Sequence, residues 1–463
     1  MVSKFQTNVT KTTFRGDYSV NLKKVALCLG AFAPGVALAA PPAIDTGDTA
    51  WMLTSTALVL LMTIPGLALF YAGMVRKKNI LATVMQSFAI CCVVTVVWMV
   101  AGYSLTFGTG TPYIGDFSRF MLKGIGANIN KGADIGFTLG AGSANATVMT
   151  IPESVYMMFQ MTFAIITPAL IAGSFAERMK FSSLFVFTVL WSLLVYTPIA
   201  HWVWSPLGWL SGLGAVDFAG GTVVHINAGV AGLVTALVLG KRHGFGKDDL
   251  TPHNLTYAVI GASLLWVGWF GFNAGSAVGA NGRAGMAMAT TQIATAGAGV
   301  AWLLVEWIKT GKPTVLGIVS GAVAGLVAIT PAAGFVLPGN ALIIGLVTGV
   351  VCYFSATALK HALGYDDSLD AFGVHGVGGI VGALLTGLLA YGPLSATDAN
   401  PSGVVGSWHQ FLIQAEAVAV TVIWCSVVTF ILLKIIDLVM GLRVSQQEEI
   451  EGLDISLHGE RIG

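Results

Sequence analysis

Two histidines are the residues of this chain whose type and setting could do chemistry. His225 and His375 each stand inside a long apolar run. An ionisable group within a membrane helix is costly enough to be a functional candidate by default. A neutral imidazole both donates and accepts hydrogen bonds, so two in contact could guide a small polar molecule or relay a proton. Gly229 and Gly232 follow the first histidine at i+4 and i+7, and Gly379 and Gly382 follow the second in the same way. On a helix these positions share the imidazole's face and leave room for a partner helix or a pore. The alternative, a pair of packing histidines, is weakened by the matched settings. Metal binding is weaker still, because two imidazoles with no carboxylate or thiolate nearby in sequence are a poor ligand set.

Acids near the histidines are few. Asp217 lies eight residues before His225, and Asp370 five before His375. Each precedes a helix, where a carboxylate can cap free N–H groups and favour the helix dipole. An added pull on an incoming cation stays open beside that role. Aromatic residues gather near the outer ends of several runs: Phe159 and Phe163, Tyr196, Trp202 and Trp204, Trp269 and Phe272. Ring faces converging with a hydroxyl acceptor would cage a cation. A belt of Trp and Tyr at the membrane surface is the other explanation, and it suits Trp202 and Trp209. No potassium-filter loop, ring of acids or Gly-rich phosphate loop is present. That argues against an ordinary potassium channel or an ATP-driven pump. With no nucleophile or metal set beside the histidines, neither an enzyme nor a cofactor is expected.

The elements that must position these groups are membrane helices. Charged residues are 10% of the 463 and hydrophobic ones 55%, against roughly 25% charged in soluble chains. Such a chain cannot cover a soluble surface. Its 58 glycines suit helices that approach closely in lipid, and a net charge of +1 argues against nucleic acid as a partner. The expected fold is all-α and polytopic, with about eleven spans between Asp48 and Leu442 by the ~20-residue criterion; the eighth is read over 314–334. Arg76-Lys77-Lys78, Arg178 and Lys180, Lys241, Arg242 and Lys247, Lys309 and Lys312, and Lys360 follow alternate spans. The other loops are poorer, with Arg119, Lys123 and Lys131 in one and Arg283 in another. The positive-inside rule places the first set, and the tail 443–463, in the cytoplasm.

Before the first span, Lys23 and Lys24 precede the apolar run Val25–Leu38, and Ala37-Leu38-Ala39 offers a cleavage site. That pattern is a secretory signal peptide over 1–39, leaving the mature N-terminus outside. Cys28, Cys91, Cys92, Cys352 and Cys425 show no metal or C-x-x-C spacing and are expected as small core residues.

The halves of the chain repeat. Phe70-Tyr71-Ala72-Gly73 is echoed by Phe272-Asn273-Ala274-Gly275, Ile166-Thr167-Pro168-Ala169 by Ile329-Thr330-Pro331-Ala332, and His225, Gly229 and Gly232 by His375, Gly379 and Gly382. The matches keep their order and lie five spans apart, and an odd offset turns the second copy upside down. Inverted five-helix repeats, about 51–240 and 255–392, are the plan of many secondary transporters, with the substrate path at their interface. An extra helix over about 408–440 falls outside them.

The runs Ala219-Gly-Gly-Thr-Val-Val-His225-Ile-Asn-Ala228, Gly268-Trp-Phe-Gly-Phe-Asn-Ala-Gly-Ser276 and Asp370-Ala-Phe-Gly-Val-His-Gly-Val377 closely resemble the ammonium transporter (Amt/MEP/Rh) family, in its bacterial Amt branch. The resemblance runs from Asp48 to Gly459 and is weakest over 108–150. It implies a homotrimer in the bacterial inner membrane with one narrow pore per subunit, and a PII-type nitrogen regulator that plugs the cytoplasmic mouth. By motif position it implies that Trp204, Phe163 and Ser276 form an outer ammonium site supported by Asp217. Phe163 and Phe272 would be the stacked gate, and His225 and His375 the pair lining the pore. Phe163 closes the run Phe159-Gln-Met-Thr-Phe163.

Those residue types suit that substrate. Ammonium and potassium are alike in size and charge, but ammonium carries N–H donors and can lose a proton. A serine can accept an N–H while aromatic faces hold the charge at roughly 0.5–2 kcal/mol each. An apolar bore then makes a bare cation expensive by several kcal/mol. The expected outcome is net electrogenic uptake of ammonium, and possible substrates include methylammonium. A sensor working through a separate partner and a passive conduit for ammonia or other small neutrals remain the alternatives.

Overall fold

The computed structural model describes residues 44–126, 136–143, 146–397 and 400–462. The signal peptide read over 1–39, with Cys28, and the loop residue Lys131 lie outside them. The described chain is a succession of helices: α1 Thr46–Met74, α2 Lys77–Phe107, α3 Glu153–Phe175, α4 Phe181–Gly212, α5 Gly221–Leu239, α6 Leu255–Gly275, α7 Gly282–Thr310, α8 Val315–Ile329, α9 Pro338–Leu363, α10 Phe372–Leu389 and α11 Trp408–Met440. All but α8 are long and apolar enough to cross a membrane. With α8 they make an eleven-helix, multi-pass membrane protein. Among the described residues, strand pairing is a two-residue ladder, Thr138–Leu139 against Thr147–Val148, in the long loop, and one isolated bridge, Met179 to Arg443.

The eighth span departs from the expected 314–334. Its 15 helical residues rise only about 22 Å, short of a hydrocarbon core of roughly 30 Å. The helix stops before Pro331, whose missing N–H and bulky ring oppose its continuation. Residues 330–336 continue as buried turns. Non-helical backbone at that depth is tolerated where protein satisfies it, and here Phe218 N and Ala219 N donate to Pro331 O and Thr330 O at 3.1 and 3.2 Å.

α1 and α6 touch backbone to backbone through glycines. Gly66 meets Leu265, Gly73 meets Asn254 and Ala258, Gly261 meets Phe70, Gly268 meets Met62, Gly271 meets Leu58 and Gly275 meets Ser55. Numbers rise along one helix as they fall along the other, so the two run antiparallel. Gly73, which closes Phe-Tyr-Ala-Gly, packs on the start of α6, and Gly275, which closes Phe-Asn-Ala-Gly, packs on Ser55 inside α1.

At the Arg76 end an ion cluster ties the loops together. Glu177, its carboxylate fully buried, pairs with Arg76 at 2.9 Å and Arg242 at 3.2 Å, and Arg242 also holds Asp366 at 2.8 Å. Burial pushes the Glu177 carboxyl up, but the two guanidinium groups outweigh it and leave it below the usual range. The tail docks here rather than trailing in solvent, as two short helices, α12 Gln446–Glu451 and α13 Leu453–His458. Leu453 N donates to Asn79 Oδ1 and Ala82 N to Asp454 Oδ1, both at 2.8 Å, while Arg443 pairs with Glu449 at 2.8 Å. Cys91, Cys352 and Cys425 are buried as expected. Cys92 is exposed, because one residue further round α2 lies its outer face.

Candidate functional site

Both histidines sit in the opening turn of their helix, and both turns are π-helical: Gly221–Ile226 and Phe372–Gly376. Such wide turns are rare and concentrate at functional sites. Asp217 secures the first. Its Oδ1 accepts from Gly220 N and Gly221 N at 2.8 and 2.7 Å, and its Oδ2 from Thr222 N and Val223 N at 2.8 and 3.0 Å. Those are the orphan donors of a helix start. The capping role read for Asp370 is overturned. Asp370 has φ of +57° and its carboxylate pairs with Lys360 Nζ at 2.6 Å. Asp367, at 0% exposure, caps instead, with Oδ2 accepting from Phe372 N at 2.7 Å. Asp367 lies eight residues before His375, as Asp217 does before His225, and that spacing was the available signal.

The two rings meet. Nδ1 of His375 stands 3.4 Å from Nδ1 of His225, and the rings lie nearly parallel at 18° with centroids 5.4 Å apart. Glycine permits it: Gly229 lies on the backbone of Gly376, and a Cβ on Gly379 would come within 3.0 Å of Gly221 O. At i+4 each glycine thus admits the start of the opposite histidine helix. Gly232 and Gly382 admit Ser174 and Ala328 in turn. A proton between the two Nδ1 atoms belongs to one ring at a time, so the neutral pair is necessarily made of unlike tautomers. Nε2 of His225 has no hydrogen-bond partner among the described residues.

Trp269, expected at an outer helix end, instead stacks on His225 at 5.3 Å and 19°. Its Nε1 donates to Thr330 Oγ1 at 2.9 Å, so the break after α8 also sets this ring. Phe272 lies 6.0 Å from His225 and 4.2 Å from Phe163. Phe163 in turn meets Trp204 edge to face at 5.6 Å and 88°. Trp204 Nε1 donates to Asp217 O at 3.0 Å, so Asp217 holds both the indole and the helix start. The Ser276 hydroxyl donates to Phe272 O at 2.8 Å, which leaves its oxygen lone pairs to accept from a ligand. Phe163, Trp204, Asp217 and Ser276 line a cavity of about 340 Å³, with Gln160, Phe218, Arg283 and Phe335 among the other walls. Trp202 belongs elsewhere, and to no surface belt. It is buried, donates to Tyr113 O at 2.7 Å and packs on Trp424 at 5.3 Å.

On the His375 side lies a smaller cavity of about 40 Å³, walled by Phe70, Tyr71, Trp302, Asp370 and Val374 among others. Phe70 is the repeat counterpart of Phe272. The structure therefore brings Trp204, Phe163, Ser276, Phe272, His225 and His375 into one file between two cavities. Trp269, Asp367 and Arg283 are the members that the sequence reading did not assign to it.

A bundle of membrane helices, with two cavities set apart by stacked rings and a buried imidazole pair, is the architecture of a polytopic transport protein. Residues 50–462 match the Ammonium Transporter Family, and the chain belongs to that family. It is 50% identical over 424 residues to an ammonium transporter of Bacillus subtilis (strain 168), covering 90% of this chain and 98% of that one. The crystal structure of Saccharomyces cerevisiae Mep2 superposes with a TM-score of 0.77 at 36% identity, over 87% of this chain and 91% of the other. A protein described as a Sensor Amt Protein is 28% identical with a TM-score of 0.78, covering 89% and 98%.

Proposed function

We propose that the chain takes up ammonium by holding it at Trp204, Phe163 and Ser276, removing its proton, and passing ammonia along His225 and His375. The ring faces of Trp204 and Phe163 attract the cation at roughly 0.5–2 kcal/mol each, and Ser276 Oγ accepts one N–H. Asp217 acts from behind by fixing Trp204. The stacked Phe163 and Phe272 form the gate, beyond which a bare cation would pay several kcal/mol of lost hydration. Ammonium escapes that cost by dissociating into ammonia and a proton. Ammonia then finds a partner at each imidazole, while potassium has no proton to shed. The proton follows through the imidazole pair, which makes net uptake electrogenic. Methylammonium has the same N–H donors and is a second substrate.

The chain works as a homotrimer in the bacterial plasma membrane, with the mature N-terminus outside and the docked tail in the cytoplasm. The alternation of basic loops supports that orientation. A PII-type regulator closes the pore at the tail face. One observation carries the reading: the two imidazoles stand 3.4 Å apart beyond the Phe163–Phe272 ring pair, whose centroids are 4.2 Å apart. Protein reconstituted in liposomes is expected to give an inward current on an ammonium pulse, none on a potassium pulse, and a matching proton flux. No current with normal ammonia flux would leave a passive gas channel. The likeness to a Sensor Amt Protein favours a second reading, in which the same body reports ammonium to a separate partner. Growth on limiting ammonium separates the two, since a pure sensor would not support it.

A further inference from the structure

Arg283, at the start of α7, is a charged wall of the Trp204 cavity to which the transport reading gives no task. Its guanidinium lies 4.9 Å from the ring centre of Phe218 and 4.6 Å from that of Phe335. Nε donates to Gly334 O at 2.9 Å, and no carboxylate pairs with it among the described residues. The slot is built by the chain around it. Phe218 and Phe335 meet edge to face at 5.8 Å and 79°. Gly334 has no side chain because a Cβ there would run into the Phe218 ring. Phe218 N donates to Pro331 O and Tyr391 N to Phe335 O, which fixes the backbone under each ring. Two ring faces around a cation are the makings of a cation site, and these rings share their cavity with Phe163, Trp204 and Ser276.

We propose that Arg283 is a specificity-determining residue of this cavity: its guanidinium fills a second aromatic cage, Phe218–Phe335, and leaves the Phe163–Trp204–Ser276 cage as the seat open to ammonium. The inference rests on the transport reading above. Ring faces alone attract any cation, potassium included, whereas Ser276 adds an acceptor that only an N–H donor can use. A cage of bare rings would therefore load the cavity with the wrong ion, and a resident guanidinium closes it. The same fixed charge raises the potential over the whole cavity. Ammonium affinity is held down by it, and occupancy by a second cation is held down further.

The test is ammonium-driven current in liposomes from wild type, Arg283→Gln and Arg283→Lys, each with and without a large excess of potassium. Arg283→Gln is expected to lower the KM for ammonium roughly three- to tenfold, the effect of one charge removed at cavity range. It is also expected to make the current sensitive to competitive block by potassium. Arg283→Lys keeps the charge over the rings and is expected to keep the wild-type KM and potassium insensitivity. An unchanged KM without potassium block in the Gln variant overturns the proposal. So does an equal KM shift in the Lys variant, because a purely structural tether would respond to both. If Arg283→Gln does not fold, Arg283→Met fills the slot without charge and must show the lowered KM, and a wild-type KM in it overturns the proposal. Absence of ammonium current in the wild type would sink the transport reading itself, and normal wild-type current with an unresponsive position 283 sinks only the caged arginine.

Discussion

Around His225 and around His375 the chain builds the same parts twice with different surroundings. Asp217 and Asp367 each precede a histidine by eight residues and each caps a π turn. The residues that follow them also act alike: Phe218 N and Ala219 N donate to Pro331 O and Thr330 O, Ser368 N and Leu369 N to Ser174 O and Gly173 O. The acceptors differ in kind. Ile166-Thr167-Pro168-Ala169 lies within α3, which continues past Pro168 to Phe175, whereas Ile329-Thr330-Pro331-Ala332 ends α8. Local chemistry is shared, since Thr167 Oγ1 donates to Phe163 O and Thr330 Oγ1 to Leu326 O, both at 2.7 Å. Identical residues give helix or break according to what must be held next. After Pro331 the buried turns carry Phe335, which with Phe218 and Arg283 walls the cavity of about 340 Å³. On the His375 side the unbroken α3 contributes no wall to the cavity of about 40 Å³.

The symmetric part of the comparison breaks most severely at the crossing. Gly229→Val would drive a side chain into the Gly376 backbone, and the expected loss exceeds about 4 kcal/mol. Little folded protein should then survive detergent extraction and gel filtration. Gly373→Ala, whose Cβ would stand 3.1 Å from Ala356 Cα, is expected to cost about 1 kcal/mol.

The caps come next. Asp217→Asn leaves two of four buried N–H donors without an acceptor, a loss of about 3 kcal/mol. Asp367→Asn keeps an oxygen for its one side-chain bond and removes the charge that burial disfavours, so at neutral pH it is expected to be neutral or stabilising by up to about 2–3 kcal/mol. Thermal unfolding in detergent ranks them, and equal losses would contradict the difference drawn here.

The pair also differs in response to pH. Burial pushes the Asp367 carboxyl up, Lys360 opposes and Asp370 adds to the rise, and the result is about 6. An unfolded aspartate titrates near 4. Between about pH 4 and 6 the folded chain therefore holds a proton that the unfolded chain releases. Stability falls as pH rises through that window, by on the order of 2–3 kcal/mol. Asp367→Asn is expected to remove this slope, which unfolding midpoints at several pH values would show.

Smallest is the effect on the prolines. Pro168→Ala restores an N–H inside α3 and is expected to be neutral or stabilising by up to about 1 kcal/mol. Pro331→Ala is expected to cost about 0.5–1 kcal/mol through the freer unfolded chain. Opposite signs in unfolding midpoints would support the reading of the two breaks.

Much of this was legible because membrane helices leave a coarse record. Apolar length, loop charge and three matched motifs were enough for eleven helices, an inverted plan and two histidines brought together. The cap of the second helix was missed because Asp370 stands closer to His375 than Asp367 does, and which carboxylate turns inward depends on Lys360, which no local pattern reports. The short α8 was hidden because Ile-Thr-Pro-Ala reads alike in both places. Trp269 on His225 and Arg283 between two rings depend on segments far apart in the chain, Thr330 to Phe335 above all, and spacing carries no trace of such convergence.

The central claim is that the two histidines line one path that passes ammonia and refuses potassium. Ammonium and potassium currents from liposomes carrying His225→Ala or His375→Ala, checked for wild-type unfolding behaviour, test it most directly. The account predicts that each variant loses the ammonium current or begins to conduct potassium. Wild-type ammonium current with no potassium current in both variants would contradict it.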